Sequence, residues 1–409
     1  MLTIPVIDYI ICFMKSSSLP FVGLHAHSTA GSPFDAIGFP QQHMDFAYEN
    51  GSDALALTDH GNCNGLAYQV LHAKAMEKEG KNFKPIYGVE AYFIPSLTEW
   101  SIAYEEFKAS KKKKKDDAGS GFSVEDESET KNNKDKINKR SHLILLAQNQ
   151  TGLSNIFKLV SQSFKPGNFY RFPRIDYDLL RENNEGIIAS SACLGGVYAG
   201  NYWANKDTGK EAILNAMRET TENMMSIFGD RWYGELQWID HPDQHELNKC
   251  IIQVCGEYGV ELISTSDSHY YSPDVWKDRS LYKRLRPGFA AMAGDLPGSV
   301  EEVGYELYPK NGDQMWESYK KYSEKANISY DDKLIKDSIT RTHDIAHNRI
   351  ERFYPDNTVR LPSFVVQEGM TEDEALSQTA WSALASVIKT PNQKDYTERL
   401  ERELKVMPS

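Results

Sequence analysis

Cysteine is scarce in this chain: five residues in 409, at positions 12, 63, 193, 250 and 255, with no CxxC pair. An odd count without paired spacing excludes a disulfide framework and suits a reducing cytoplasm. P-loop and GxSxG patterns are missing, so neither a Walker-type phosphate cradle nor a nucleophile elbow is expected. Long apolar runs are missing too. The stretch MLTIPVIDYIICFMKSSSLP at residues 1–20 is too short and too interrupted to span a bilayer. It also lacks the basic segment and cleavage site of a secretory leader, so no membrane partner is expected. Positive charge is in deficit, with 46 Lys and Arg against 58 Asp and Glu, a formal net charge of −12. Phosphate backbones repel such a chain, so contact with nucleic acid would need positive charge from bound metal or a partner. The short basic run YKRLRPG near residue 285 reads as a solvated loop.

What the chain does have is nine side chains of metal-ligating type at or near the ends of short apolar runs. They are His25 and His27 in FVGLHAHS, then Asp35, His60 in ALALTDHG, and Glu90 in IYGVEAY. His142 in SHLILLAQN, Cys193 in IIASSACLGG, and Asp267 with His269 in LISTSDSHYY complete the set. Imidazole, carboxylate and thiolate suit Zn, Mn or Fe. Nine ligands exceed the needs of one ion and suit two or three sharing a bridging carboxylate.

The runs are FVGL (21–24), DALALT (53–58), KPIYGV (84–89), HLILLA (142–147), GIIASSA (186–192), WYGELQWI (232–239) and VELISTS (260–266). Helix-like stretches separate most of them, which predicts parallel strands covered by helices. Barrels of such units gather their chemistry at the strands' carboxyl ends. His142 alone precedes its run. Either that strand runs against the others, or His142 lies on a loop folded over the pocket.

The pieces HAHS, ALTDHGN, KPIYGVEAY, HLILLAQNQTGLSNIFKLVS, FYRFPRI, GIIASSACLGG and STSDSHYY occur in this order over residues 21 to about 270. In this order they resemble the PHP (polymerase and histidinol phosphatase) domain at the amino terminus of bacterial C-family replicative polymerases, the DNA polymerase III alpha subunits. The later piece YTERLERELKVM is similar to the helix preceding the palm of those enzymes. The resemblance implies an α/β fold, a distorted seven-stranded (β/α) barrel, with up to three metals. A mostly helical, thumb-like segment follows the barrel. Relatives that keep every ligand are 3′–5′ exonucleases of the proofreading kind; others keep the domain as scaffold. The family's ligands fall on His25, His27, Asp35, His60, Glu90, His142, Cys193, Asp267 and His269. The stretch HSTAGSPFDA is one residue longer than the family pattern, which sets Asp35 apart.

The ligand set implies hydrolysis of a phosphodiester, with cations neutralising its oxygens and activating water so that a 5′-mononucleotide leaves. Glu90 is the candidate bridging carboxylate, and Glu90, Asp267 and Asp59 are the candidate catalytic acids. Asp59 is expected to orient His60 or a neighbour. Arg171 and Arg174 in FYRFPRI are candidate phosphate clamps. Cys193 must be a thiolate to ligate, and nearby cations would depress its pKa. His343 and His347 form HDIAH, which lacks the glutamate of HExxH, within an expected amphipathic helix, DKLIKDSITRTHDIAHNRIERF. Together with His43, His72, His241 and His245 they read as surface or helix residues.

The expected organisation is an extension over 1–20, in which Met14 is a candidate start, a barrel over 21–272, and a helical segment over 273–409. Residues 108–140 read as a disordered charged insertion because they are nearly free of apolar side chains. The polymerase palm is absent, so the chain alone should not synthesise DNA. Three readings stay open. One is a metal-dependent 3′–5′ exonuclease acting on DNA 3′ ends, alone or with a separate palm-and-fingers chain and other replisome components. The second is a phosphomonoesterase of the histidinol-phosphatase kind. The third is a non-catalytic, metal-stabilised scaffold.

Overall fold

The computed structural model describes residues 16–117, 137–285, 306–359, 365–387 and 393–406. Among the described residues there are eight strands: β1 Ala54–Leu57, β2 Lys84–Phe93, β3 Ser141–Ala147, β4 Phe169–Tyr170, β5 Phe172–Ile175, β6 Ile187–Ser190, β7 Trp232–Gln237 and β8 Glu261–Thr265. β1, β2, β3, β6, β7 and β8 pair in that order, and the β4–β5 hairpin adds to the far end of β2. The segment around Gly23–Ala26 closes the ring through bridges Gly23–Leu55 and Ala26–Ser268. Its backbone hydrogen bonds are Ala56 N to Gly23 O at 2.8 Å and His27 N to Ser268 O at 2.7 Å. Counting that segment as an irregular strand gives the expected distorted seven-stranded barrel.

All pairings around the ring are parallel except those of β3, which runs antiparallel to both β2 and β6. This resolves the position of His142. The start of an antiparallel strand lies level with its neighbours' carboxyl ends, so His142 reaches the same rim as the other eight residues.

The strands read as continuous apolar runs because both faces are covered. Val22, Leu24, Ala54, Ala56, Ile86, Ile144, Leu146, Ile188, Tyr233 and Ile263 form the barrel's inner cluster, closed below by Ile345, Ala346 and Ile350. The alternate residues Tyr87, Val89, Leu143, Leu145, Ile187, Ala189, Trp232 and Leu236 face the covering helices. Strand periodicity therefore puts Glu90, His142, Glu235 and Asp267 on the same inward face as the apolar floor, one level higher.

The covering helices are α1 Pro40–Glu49, α2 Leu66–Lys78, α3 Leu97–Asp117, α4 Gln150–Ser163, α5 Tyr177–Glu182, α6 Val197–Asn205, α7 Lys210–Phe228 and α8 Pro242–Tyr258, with α9 Trp276–Arg284, α10 Gly312–Lys325 and α11 Asp332–Asp344 after the barrel. The chain divides after Pro355, so the sequence-based boundary at residue 272 falls inside the first unit. α11 packs on β8, where Ser338 Oγ meets Ser264 Oγ at 2.8 Å. A second unit from Asp356 carries α12 Glu372–Val387 and α13 Gln393–Leu404.

Two expectations are corrected. The helix read through HDIAHNRIERF ends at Asp344, continues as a π turn over Ile345–Arg349, and is extended at Ile350. The charged insertion is narrower than 108–140, because α3 carries on to Asp117 and Ile137 is only 2% exposed. Trp100 Nε1 donates to the Ile137 carbonyl at 3.0 Å, fixing that end. Candidate start Met14 and residues 118–136 lie outside the described residues. Among the described residues, no helix is long and apolar enough to cross a membrane, and Cys63, Cys193, Cys250 and Cys255 are free thiols.

Candidate metal centre

The structure brings all nine predicted ligand residues together at one rim of the barrel. Glu90 lies at the middle and is fully buried. Its Oε1 is 2.6 Å from His142 Nδ1 and 3.7 Å from His25 Nε2. Its Oε2 is 2.6 Å from His60 Nδ1 and 3.2 Å from His27 Nε2. Cys193 Sγ stands 3.9 Å from Oε1 and 3.7 Å from His142 Nδ1. Asp267 Oδ1 is 3.1 Å from both His25 Nε2 and His27 Nε2. Asp35 Oδ2 bridges His60 Nε2 at 3.0 Å and His269 Nε2 at 3.6 Å.

Local backbone places these groups. Asp267 sits at φ 46°, left-handed geometry that Asp tolerates better than most residues. The turn after β6 brings Cys193 in, and Gly195 permits its close approach to β3. A Cβ at Gly195 would stand 3.1 Å from the His142 ring. The Gly195 carbonyl accepts from His142 N at 2.8 Å, locking the two loops together.

Glu90, Asp267 and Glu235, three carboxylates buried in one pocket, require positive charge. Burial would lower the pKa of His25, but Asp267 and Glu235 hold it well above its ordinary value. Burial opposes protonation of His60 too, yet Glu90 and Asp35 raise it. Burial, followed by the His60 and His269 rings, pushes His27 well below the usual range. Against the cost of burial, His142 and His60 keep Glu90 ionised. Burial and then Asp267 and Glu90 push the Cys193 thiol up, so a thiolate there needs a cation beside it.

The donor set fits divalent ions. His60 Nδ1, Glu90 Oε2, His27 Nδ1 and Asp267 Oδ1 are buried and, close as the neighbours of several of them stand, in no aligned hydrogen bond. Lone pairs left so close and unpaired are costly unless an ion takes them. Three overlapping triads have ligand atoms within 4.8 Å of one another: His27–His60–His269, His25–His27–Glu90 and His60–Glu90–His142. Glu90 belongs to two of the three.

Some predicted roles fall elsewhere. Asp59 holds the loops that carry His27 and His60. It accepts from Ser28 N at 2.6 Å and from the Ser28 and Ser32 hydroxyls at 2.9 Å, and burial lifts its pKa to about 6. Ser32 Oγ in turn accepts from His60 N at 3.1 Å, so Asp59 fixes the loop beneath His60. Arg174 is not a phosphate clamp. It is fully buried, and its guanidinium donates to the carbonyls of Tyr170, Phe172 and Ile137 at 2.8–2.9 Å. Arg171 is exposed, with its guanidinium 5.6 Å from the Tyr170 ring. His43 and His245, read as surface or helix residues, are buried on helices.

Sequence reasoning missed two groups. Glu235, 1% exposed, accepts from His25 Nδ1 at 2.7 Å and from Ser190 Oγ and Thr265 Oγ1. A lone carboxylate inside the apolar run WYGELQWI was the available signal, since a buried acid needs partners. Arg279 donates from Nη2 to Asp35 Oδ1 at 3.0 Å and from Nε to the Asp35 carbonyl at 2.6 Å. Nothing in its local sequence marks it. Arg140 also stands at the rim, stacked 3.4 Å from the Phe172 centroid and 5.1 Å from Tyr92, whose ring adjoins His60 and His142.

The PHP domain family model matches residues 23–238. A DNA polymerase III subunit alpha from Aquifex aeolicus is 31% identical over 397 residues, covering 95% of this chain and 30% of that protein. The subunit of the same name from Thermus aquaticus is 32% identical over 371 residues, covering 90% of this chain and 26% of that protein. The chain thus spans less than a third of the length of either relative. Among solved structures, an amidohydrolase from Chromobacterium violaceum aligns over 64% of this chain and 96% of its own, at 15% identity and a TM-score of 0.32. The family match spans more than half of the chain and encloses seven of the nine rim residues as well as Asp59 and Glu235. The chain belongs to the PHP domain family, and over most of its length it is similar to part of DNA polymerase III alpha subunits.

Proposed function

We propose that the nine rim residues hold two or three divalent cations, of the Zn, Mn or Fe kind, and that the centre hydrolyses phosphodiesters at DNA 3′ ends. The convergence of His25, His60, His142 and His27 on the single buried carboxylate of Glu90 carries this reading. When bound, the cations would neutralise phosphate oxygens and lower the pKa of a bound water.

The protein's own groups do the rest. Glu90 holds neighbouring ligands at a fixed spacing and offsets repulsion between cations. Glu235 keeps the Nδ1 proton of His25 in place, leaving Nε2 to face the centre. Arg279 fixes Asp35 at the open side, where Asp35 is 38% exposed and His142 20%. The substrate enters there, past Tyr92. Arg140, not Arg174, supplies positive charge at that entrance.

The likeness to DNA polymerase III alpha subunits favours DNA as the substrate and a replicative polymerase as the setting, with a separate palm-and-fingers chain and replisome components as partners in the cytoplasm. A thumb-like role for the helices after the barrel belongs to the same reading. The test is release of 5′-mononucleotides from 5′-labelled DNA with Mn²⁺ or Zn²⁺, abolished by His25→Ala. Turnover of small phosphate monoesters without shortening of DNA would select a histidinol-phosphatase-like activity. Metal-dependent melting with no turnover of either substrate would select the scaffold.

A further inference from the structure

A second set of ligand atoms lies at the opposite end of the barrel. Asp53 immediately precedes β1, whereas His60 follows it, so the strand's length separates the two places. His343 stands in the last turn of α11 and His347 in the π turn that follows. Their rings lie 4.3 Å apart between centroids, and His347 Nε2 is 3.1 Å from Asp53 Oδ1. One ligand atom from each of the three residues falls within 4.8 Å of the other two. Asp53 and His343 are half-buried and His347 is exposed, so an ion can reach them from solvent.

The backbone here is built, not incidental. Lys84 Nζ donates to the carbonyls of Ala346 and Ile350, and Ile350 N donates to Ile345 O at 3.1 Å. These bonds hold the wide turn open and set the direction of His347. π turns of this kind concentrate at functional positions. The pairing of two imidazoles also carries a charge argument, because two rings so close disfavour double protonation.

We propose that Asp53, His343 and His347 bind one borderline divalent ion of the zinc kind, independent of the centre at the other rim. Two imidazole nitrogens and a carboxylate oxygen, with water fourth, are an ordinary tetrahedral donor set. Zinc–nitrogen bonds of about 2.0–2.1 Å would draw ligand atoms that now lie within 4.8 Å of one another to about 3.4 Å. Lys84 and Arg352 border the same groove, of about 480 Å³. Lys84 is committed to carbonyls, and Arg352 donates to Asn82 Oδ1 and the Phe83 carbonyl. Their charge opposes hard ions held by electrostatics alone, such as Mg²⁺ or Ca²⁺, and leaves ions for which imidazole affinity dominates. The bound ion would tie the start of β1 to the end of α11 and so fasten the plug under the barrel.

Zinc equivalents held against a competing chromophoric chelator test this on the full chain. His347→Gln and His343→Gln should each hold one equivalent fewer than the parent, whatever the total. In the parent itself, zinc should protect His343 and His347 from carbethoxylation, read by peptide mass spectrometry, which needs no variant. Equal equivalents in parent and variants, or unprotected histidines in zinc, would overturn the proposal. The reading of the upper centre is untouched by either result, since none of its residues is altered.

Discussion

Glu235→Gln separates positioning of a ligand from ligation itself. The substitution keeps the side chain's shape in its buried slot. One amide oxygen still accepts from Thr265 Oγ1 and His25 Nδ1, and Ser190 Oγ can turn to accept from the new amide NH₂. What is lost is the negative charge that holds the imidazole's Nδ1 proton and strengthens Nε2 as a ligand. Removing such a partner typically costs 10- to 100-fold in metal affinity, about 1.4–2.7 kcal/mol. Isothermal titration of chelator-stripped protein with Mn²⁺ or Zn²⁺ reads the loss directly. Melting in saturating metal should fall toward the chelated value, while melting in chelator moves little, because the slot stays filled and hydrogen-bonded. A variant that binds metal as tightly as the parent would refute the assignment of Glu235 to His25, and with it the view that His25 Nε2 is aimed at an ion.

Three further outcomes are expected. Arg174→Met should lower stability by about 3 kcal/mol in urea unfolding, because it strips buried carbonyls of a charged donor, yet leave KM for a phosphate ester unchanged; a raised KM without destabilisation would restore the clamp. His43, buried on α1, is held down to about pKa 4 by burial. Its folded pKa lies below the unfolded value of about 6.5, so its contribution is complete above that pH and fades as pH falls toward 4, by about 2 kcal/mol at pH 5. Unfolding of His43→Gln between pH 7 and 5 should lack that component, and an unchanged slope would contradict it. Gly196→Ala should fail to fold or melt far lower, since a Cβ there would stand 1.9 Å from the Ser191 carbonyl; parent-like melting would refute the tight turn that delivers Cys193.

The convergence of the rim residues was legible because most of them interrupt, end or begin an apolar run, a pattern a core has little reason to produce. The barrel was legible from the alternation of those runs with helical stretches. Strand direction was not, since an antiparallel β3 has the same composition as a parallel one, and only pairing with β2 and β6 reveals it. The ring's closure by Gly23–Ala26 rests on isolated bridges that no periodicity marks. Arg174 misled because an arginine in a loop-like sequence looks solvent-facing, while its guanidinium in fact closes three backbone carbonyls under Trp100. The π turn at Ile345–Arg349 depends on Lys84, about 260 residues upstream, a distance over which local patterning is silent.

Anomalous diffraction from crystals of the full chain grown with Mn²⁺ or Zn²⁺ tests the central claim most directly. The expected result is two or three peaks in the upper rim, at least two of them within bonding distance of Glu90 and each contacted by imidazoles from the set of nine. An empty rim in metal-supplemented crystals, with Glu90 paired only to protonated histidines, would contradict it.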